Sequence, residues 1–374
     1  MKRLKHLILS SLLLGIAITV ILACRNKTAN APGEVIDTLT VPSIAQSTLF
    51  TRNDIIWGMD WLPNGDMLFT EKGGKLFRWS NGSAVEITGV PNVDAGGQGG
   101  LLDVLVHPQY SQHDWIYFSY ARPGGFYTLS RAKISGNTLT NVQQLYTTTE
   151  ASSWRGHYGS RIVIDKNRFL YFSVGDPAAF GQNTGSGWGK VHRIHDDGRI
   201  PSDNPVLPGQ TAANTIWAYG VRNPQGLAIH PVTGELWESE HGPQGGDEVN
   251  IIKKGANYGW PLVSHGRNYD GSIISSNPFM TGVENAIKVW TPSIAPCGMD
   301  FLEHKNWKAY RNRLVVGALA FRHVANVKFN GNNPVDEFRW LDQVGRVRNV
   351  KEGPDGSLYV SVEGPGRIIR ITPQ

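Results

Sequence analysis

One unit recurs six times along this 374-residue chain, and that recurrence restricts the fold more than any other feature. The unit is an apolar strand, a turn built on Pro, Asn, Asp or Gly, a second apolar strand, then small residues and a third strand. It reads IIWGMDWLPNGDMLFTEKGGKLFRW from Ile55, LLDVLVHPQYSQHDWIYFSY from Leu101 and GSRIVIDKNRFLYFSVGD from Gly159. It returns as GLAIHPVTGELWESEHG from Gly226, CGMDFLEHKNWKAYRNRLVVGAL from Cys297 and VRNVKEGPDGSLYVSVEGPGRIIRI from Val347. Each copy alternates apolar and polar residues with period two and breaks at Gly or Pro, which is the pattern of hairpin-linked antiparallel strands. Repeats of this length and strand content are propeller blades. The expected fold is therefore all-β, a six-bladed β-propeller of four-stranded antiparallel blades. A β-sandwich would have to match the same turn spacing six times by coincidence. Successive copies start 46, 58, 67, 71 and 50 residues apart, and the excess over 50 predicts long loops in blades three to five. Composition agrees. Glycine is 43 of 374 residues, and charged residues are 18 % beside 12 Trp, 12 Tyr and 13 Phe, which excludes a disordered chain and a coiled coil. Loops gathered at one end of the central channel are the natural place for a site.

The formal charge of +5 suggests a polyanionic partner until its source is located. Lys2, Arg3 and Lys5 precede an uncharged, largely apolar run from Leu7 to Ala23, which has the form of a secretory signal peptide. Cys24 follows directly, in a setting that resembles a bacterial lipobox, so the reading is a signal peptide over 1–23 and lipidation at Cys24. A plain signal peptide or a short membrane anchor is the alternative. Residues 24–41 are polar and read as a tether, and 42–374 as the propeller domain. Without the three leading cations, 33 basic residues face 31 acidic ones, and nucleic-acid binding loses its electrostatic basis. The chain is expected to be exported, periplasmic, and in contact with a membrane only through its lipid. Cys297 is the one other cysteine, so neither an internal disulfide nor a thiolate metal site is expected.

Four segments carry groups suited to chemistry. Gly96–Leu102 (GGQGGLL) lets the backbone approach a ligand and offers Gln98 as donor and acceptor, although alone it reads equally as a turn. Gly156–Arg161 places His157 among glycines before a strand, where an imidazole can exchange protons near neutral pH. Tyr219–Gly226 contains Arg222 and Asn223; the guanidinium suits a carboxylate or a developing oxyanion, and a surface turn is the plain alternative. The fourth runs from Glu240 through HGPQGGDEVN to Gly255-Ala256-Asn257-Tyr258-Gly259-Trp260-Pro261. Carboxylates beside turns with inward carbonyls suit Ca²⁺. The chain has neither EF-hand spacing nor the His pattern of a zinc site.

Taken together these strings resemble the soluble aldose sugar dehydrogenases of the glucose/sorbosone dehydrogenase family, which depend on pyrroloquinoline quinone (PQQ). The resemblance runs from about Ile55 to Thr372 and is carried best by YGVRNPQGLAIHP, EHGPQGGDEVNII and GANYGWP. It implies oxidation of an aldose at C1 to the lactone, with electrons passed to a periplasmic or membrane acceptor. His157 matches the general base and Gln98 a residue touching cofactor and substrate. Arg222 and Asn223 match a cofactor-binding pair, and Arg346, Arg348, Tyr269 and the Ala318 backbone match further contacts. Carbonyls of Gly242 and Pro243 match the holders of a Ca²⁺ at the quinone; the Glu248 carboxylate and the Tyr258 carbonyl match those of a second, structural Ca²⁺. Two positions depart. Ala320 stands where relatives carry Lys, with Arg322 the nearby cation to replace it. Gly156 stands where the glucose-oxidising branch carries Asp, which favours the broader aldose branch. A Ca²⁺-dependent lactonase and a non-catalytic ligand-binding propeller are the alternatives on the same fold. Loops at 182–188 and 265–288 are expected to select the sugar.

Overall fold

Alternation at the inner positions of each repeat builds six four-stranded antiparallel sheets, which succeed one another along the chain. The computed structural model describes residues 43–374. The segments read as signal peptide and tether, with Cys24, lie outside the described residues. The first strand of each sheet lines the centre: Ile56–Trp61, Leu101–Val106, Ile162–Ile164, Pro224–Ile229, Pro296–Phe301 and Val347–Glu352. These six begin within three residues of the six repeat starts. Blades one to five are each continuous in sequence. Blade six takes its outermost strand from the beginning of the domain: Ile44–Arg52 pairs antiparallel with Gly366–Pro373, Ile44 opposite Pro373 and Arg52 opposite Gly366. The ring is thus closed by hydrogen bonds between the first and last strands.

Apolar side chains fill the spaces between blades rather than one central core. Each of the six large clusters joins two neighbours: Tyr127 and Phe172 belong to blades two and three, Trp237 and Phe301 to blades four and five. Phe50 from the closing strand stacks on Trp79 (4.2 Å between centroids) and approaches Phe69 at 5.0 Å, so blade six is fastened to blade one.

Five of the six inner strands carry a bulge near their start, between Ile56 and Met59, Leu101 and Val104, Pro224 and Gly226, Pro296 and Met299, and Val347 and Asn349. A bulge bends a strand and re-aims a side chain. Trp57, Leu102, Gln225 and Arg348, all within these bulges, face the same end of the channel. Inner strands approach closely here. A Cβ on Gly298 would lie 2.0 Å from Asn349 Oδ1 and 2.8 Å from Asn349 Cα. Gly298→Ala is accordingly expected to destabilise the domain by about 1–3 kcal/mol, as overpacking does, measured as a lowered midpoint in urea; an unchanged midpoint would contradict this packing.

The long connections differ from the expected distribution. They are the 148–161 segment between blades two and three, 175–189 and 196–215 within blade three, and 253–287 within blade four. Blade five has only a 12-residue connection, 302–313. The distance from one start to the next belongs to the earlier blade, and crediting it to the later one displaces the expectation by one blade.

Candidate active site

Two cavities lie along the central channel. One, of about 310 Å³, opens at the starts of the inner strands and is walled by Trp57, Lys72, Gln98, Tyr158, His241 and Arg348 among others. The other, of about 200 Å³, lies at the strand ends between Met59, Asp300 and Lys351. Arg161 and Asp103 separate them. Their ion pair measures 2.8 Å; Arg161 also donates to the Gln225 carbonyl at 3.1 Å and lies 4.4 Å over the Trp57 ring. Both charged side chains are buried, a costly arrangement that these several contacts offset.

His157 stands beside the larger cavity, between Gln98 and Tyr158 of its wall. Its backbone N–H donates to Gln98 Oε1 (2.9 Å), and its φ of 54° is in the left-handed region that non-glycine residues rarely adopt. Its Nδ1 lies 2.7 Å from the Asp176 carbonyl. A carbonyl only accepts, so Nδ1 carries the proton and Nε2 keeps a free lone pair. Burial, then the Arg222 charge, lowers the imidazole to about 4, despite the opposing Asp176 bond. At neutral pH the ring is an unprotonated, oriented base. Its support is itself fixed. The Asp176 carboxylate accepts from the N–H groups of Ala178, Phe180 and Gly181. Buried Lys190 donates to the carbonyls of Phe180, Gly181 and Trp188 at 3.0, 3.0 and 2.6 Å.

Arg222 and Asn223 lie just beyond His241, which walls both the large cavity and a small adjoining one. Arg222 Nη1 donates to the carbonyls of His241 (2.9 Å) and Gly242 (3.0 Å), and the guanidinium is 5.1 Å from the Trp260 ring. The Asn223 Oδ1 accepts from Gly159 N–H at 3.2 Å. Arg222 Nε, Asn223 Nδ2 and His241 Nε2 are buried without partners. His241 is held down to about 3 by burial and by Arg222. Beneath them Glu238, Glu240 and Glu248 crowd together. Burial raises all three, Glu240 to about 8 with Glu248 adding to it, and Glu248 to about 7. Glu248 and Tyr258 line that small cavity and a second small one. Among the described residues no group of three His, Cys, Asp or Glu side chains forms a metal site.

The opposite wall is cationic. Arg346 and Arg348 both bind Glu363, through 2.8 and 2.7 Å bonds, and Arg348 reaches Gln225 Oε1 at 2.7 Å. Burial alone would raise Glu363, but Arg348 and Arg346 outweigh it and hold the carboxyl below its ordinary range. The structure thus gathers Gln98, His157, Arg222, Asn223, Arg346 and Arg348 at one mouth. Gly242 is there too, its carbonyl turned to Arg222. Tyr269 is 72 % exposed in the blade-four insertion and lines none of these cavities. The Ala318 carbonyl accepts from Arg322 N–H (3.1 Å), and its neighbour Leu319 supplies the wall. Ala320 is exposed. Arg322, expected to replace the missing Lys, is exposed and outside the wall, at a left-handed φ of 58° where the chain turns into the next strand. Lys72 and Glu363 are wall residues outside all four segments, while Tyr158 and His241 fall within two of them, where neither had been assigned a role.

Fold and site together define a six-bladed propeller enzyme with a neutral imidazole and a cluster of cations at one channel mouth. Residues 53–370 match the family described as Glucose / Sorbosone dehydrogenase. The Escherichia coli protein named aldose sugar dehydrogenase YliI is 37 % identical over 335 residues, covering 85 % of this chain and 90 % of that protein. Quinoprotein glucose dehydrogenase B of Acinetobacter calcoaceticus is 30 % identical over 291 residues, 65 % of this chain and 58 % of that protein. The crystal structure of the soluble E. coli aldose sugar dehydrogenase in its apo-form superposes with a TM-score of 0.85 at 34 % identity, covering 89 % of this chain and all of that one. The chain belongs to the glucose/sorbosone dehydrogenase family.

Proposed function

We propose that this protein oxidises aldose sugars at C1 to the corresponding lactone, using PQQ and Ca²⁺. The observation that carries the reading is the pairing at one mouth of a neutral imidazole, its Nε2 free, with a wall of Lys72, Arg346 and Arg348. The relatives named aldose sugar dehydrogenase and quinoprotein glucose dehydrogenase support the substrate class and the cofactor. The residues suit a planar tricarboxylate. Cations line the cavity, and the buried Arg222 Nε and Asn223 Nδ2 lack partners that such a ligand would provide. Glu240 and Glu248 share a small cavity with Gly242, where a divalent cation would offset the repulsion between them.

PQQ, when bound, supplies the two-electron oxidant that takes hydride from the sugar. Gln98, Arg222, Asn223, Arg346 and Arg348 would hold it, and the Gly242 and Pro243 carbonyls would hold Ca²⁺ beside it. His157 receives the C1 hydroxyl proton at Nε2 as the C1–H bond is broken. The Asp176 carbonyl fixes the ring during that transfer and strengthens its bond to Nδ1–H once the imidazolium forms. Arg222, close enough to disfavour the imidazolium, promotes release of the proton afterwards. The Arg161–Asp103 pair lies between this cavity and the one at the far end of the channel. A periplasmic or membrane acceptor would take up the electrons, and lipid at Cys24 would keep the domain at that membrane.

The test is to supply the protein with PQQ and CaCl₂ and follow reduction of an artificial electron acceptor with a panel of aldoses. Aldose-dependent reduction that requires both additions, and falls on chelation of Ca²⁺, is expected. Stoichiometric PQQ binding by calorimetry without reduction by any aldose would reject the reading.

A further inference from the structure

Three cations face the large cavity, and they are not equivalent. Arg346 and Arg348 share the single wall carboxylate, Glu363. Lys72 has no carboxylate within ion-pair distance among the described residues. Its Nζ makes one hydrogen bond, to the Ala95 carbonyl at 2.7 Å. An ammonium has three donors, so two remain for something else. The backbone beneath it is fixed. Lys72 N–H donates to the Ile55 carbonyl at 2.9 Å, and the Lys72 carbonyl accepts from Leu101 N–H at 3.1 Å. Gly100, at φ 135°, passes so near that a Cβ there would lie 2.1 Å from the Lys72 carbonyl oxygen. The hairpin carrying Lys72 is thereby locked to the glycine loop carrying Gln98.

We infer that Lys72 is a ligand-binding residue of this mouth: its ammonium takes a carboxylate of a polycarboxylate ligand that Arg346 and Arg348, engaged with Glu363, leave incompletely neutralised. The inference rests on the proposed cofactor only in naming PQQ as that polycarboxylate. Burial, with Arg348 adding to it, lowers the Lys72 pKa against the pull of Asp54; a bound carboxylate at Nζ would reverse that direction.

Calorimetric titration of the full chain tests this with two probes, PQQ and benzene-1,3,5-tricarboxylate, a planar tricarboxylate without redox chemistry. Lys72→Met is expected to weaken both by about 10- to 100-fold, the range for loss of one charge-assisted hydrogen bond. Lys72→Arg should restore most of the affinity, which a merely structural role would not do, and Arg322→Met should leave it unchanged. Thermal melting separates weakened binding from misfolding. If Lys72→Met, folded, binds both probes within twofold of the parent, the inference is overturned. If the tricarboxylate binds in a Lys72-dependent way and PQQ binds no form, the anion site stands and the quinone reading falls.

Discussion

His157→Ala is expected to reduce aldose oxidation by about 10²- to 10⁴-fold with little change in PQQ affinity. The loss should lie in kcat, since Nε2 acts on the sugar proton and the cationic wall holds the ligand without it. The pH dependence is more diagnostic. Burial and Arg222 hold the imidazole at about 4, below its ordinary 6.5. The base is unprotonated above that value and protonated below it, so activity of the parent should fall only as pH drops through about 4. An unperturbed histidine would lose activity near 6.5 instead. Releasing the ring from Arg222 should move the acid limb upward, and Arg222→Met therefore should show a limb closer to neutrality alongside its lower activity. Rates of the parent and of His157→Ala are to be compared across pH 3.5–8 with saturating cofactor. A parent profile halving near 6.5, or a His157→Ala variant within threefold of the parent, would remove His157 from the role of base.

Deleting residues 43–52 should have the largest effect on folding. That segment is the outer strand of blade six, and without it Gly366–Pro373 becomes an open edge available for pairing with another chain. The deletion also removes Phe50 from its place against Trp79 and Phe69. We expect aggregation and loss of a cooperative melt. Because a chain that fails to fold reports little, Phe50→Ala supplies the graded measurement. Truncating this buried ring is expected to cost about 3–5 kcal/mol, read from urea unfolding. A shift of less than about 1 kcal/mol would show that closure depends on the backbone ladder alone.

Blade count and blade order were legible because inner strands are buried on both faces and bear the same apolar pattern in every copy. Outer strands were not. Ser83–Ile87, Thr138–Thr147 and Asn333–Trp340 are largely exposed, and their sequences lack the alternation that marks a buried face. The closing strand is invisible for a different reason: its partner lies more than 300 residues away, and no local pattern specifies which sheet it completes. In the site, His157 and the Arg222–Asn223 pair stand in distinctive glycine-rich strings. Lys72 and Glu363 sit in ordinary hairpins, TEKGG and VEGPG, and become wall residues only because closure of the ring turns both hairpins toward one mouth. The role of Lys190 was equally hidden, since nothing in GKVHRI says that an ammonium ties down three carbonyls of the loop before it.

The Arg161–Asp103 pair and the Trp57 ring lie between the two cavities of the channel, and we expect them to make the molecule a cup and not a pipe. Whatever enters such a cavity would leave by the same opening, and a second reactant would not arrive from behind while the first is in place. Sugar and electron acceptor would then have to visit in turn, one departing before the other docks. Steady-state data should give parallel lines in double-reciprocal plots, with each substrate inhibiting competitively against the other at high concentration. Severing the pair with Asp103→Asn would loosen the floor and test whether that alternation is imposed by the shape of the channel.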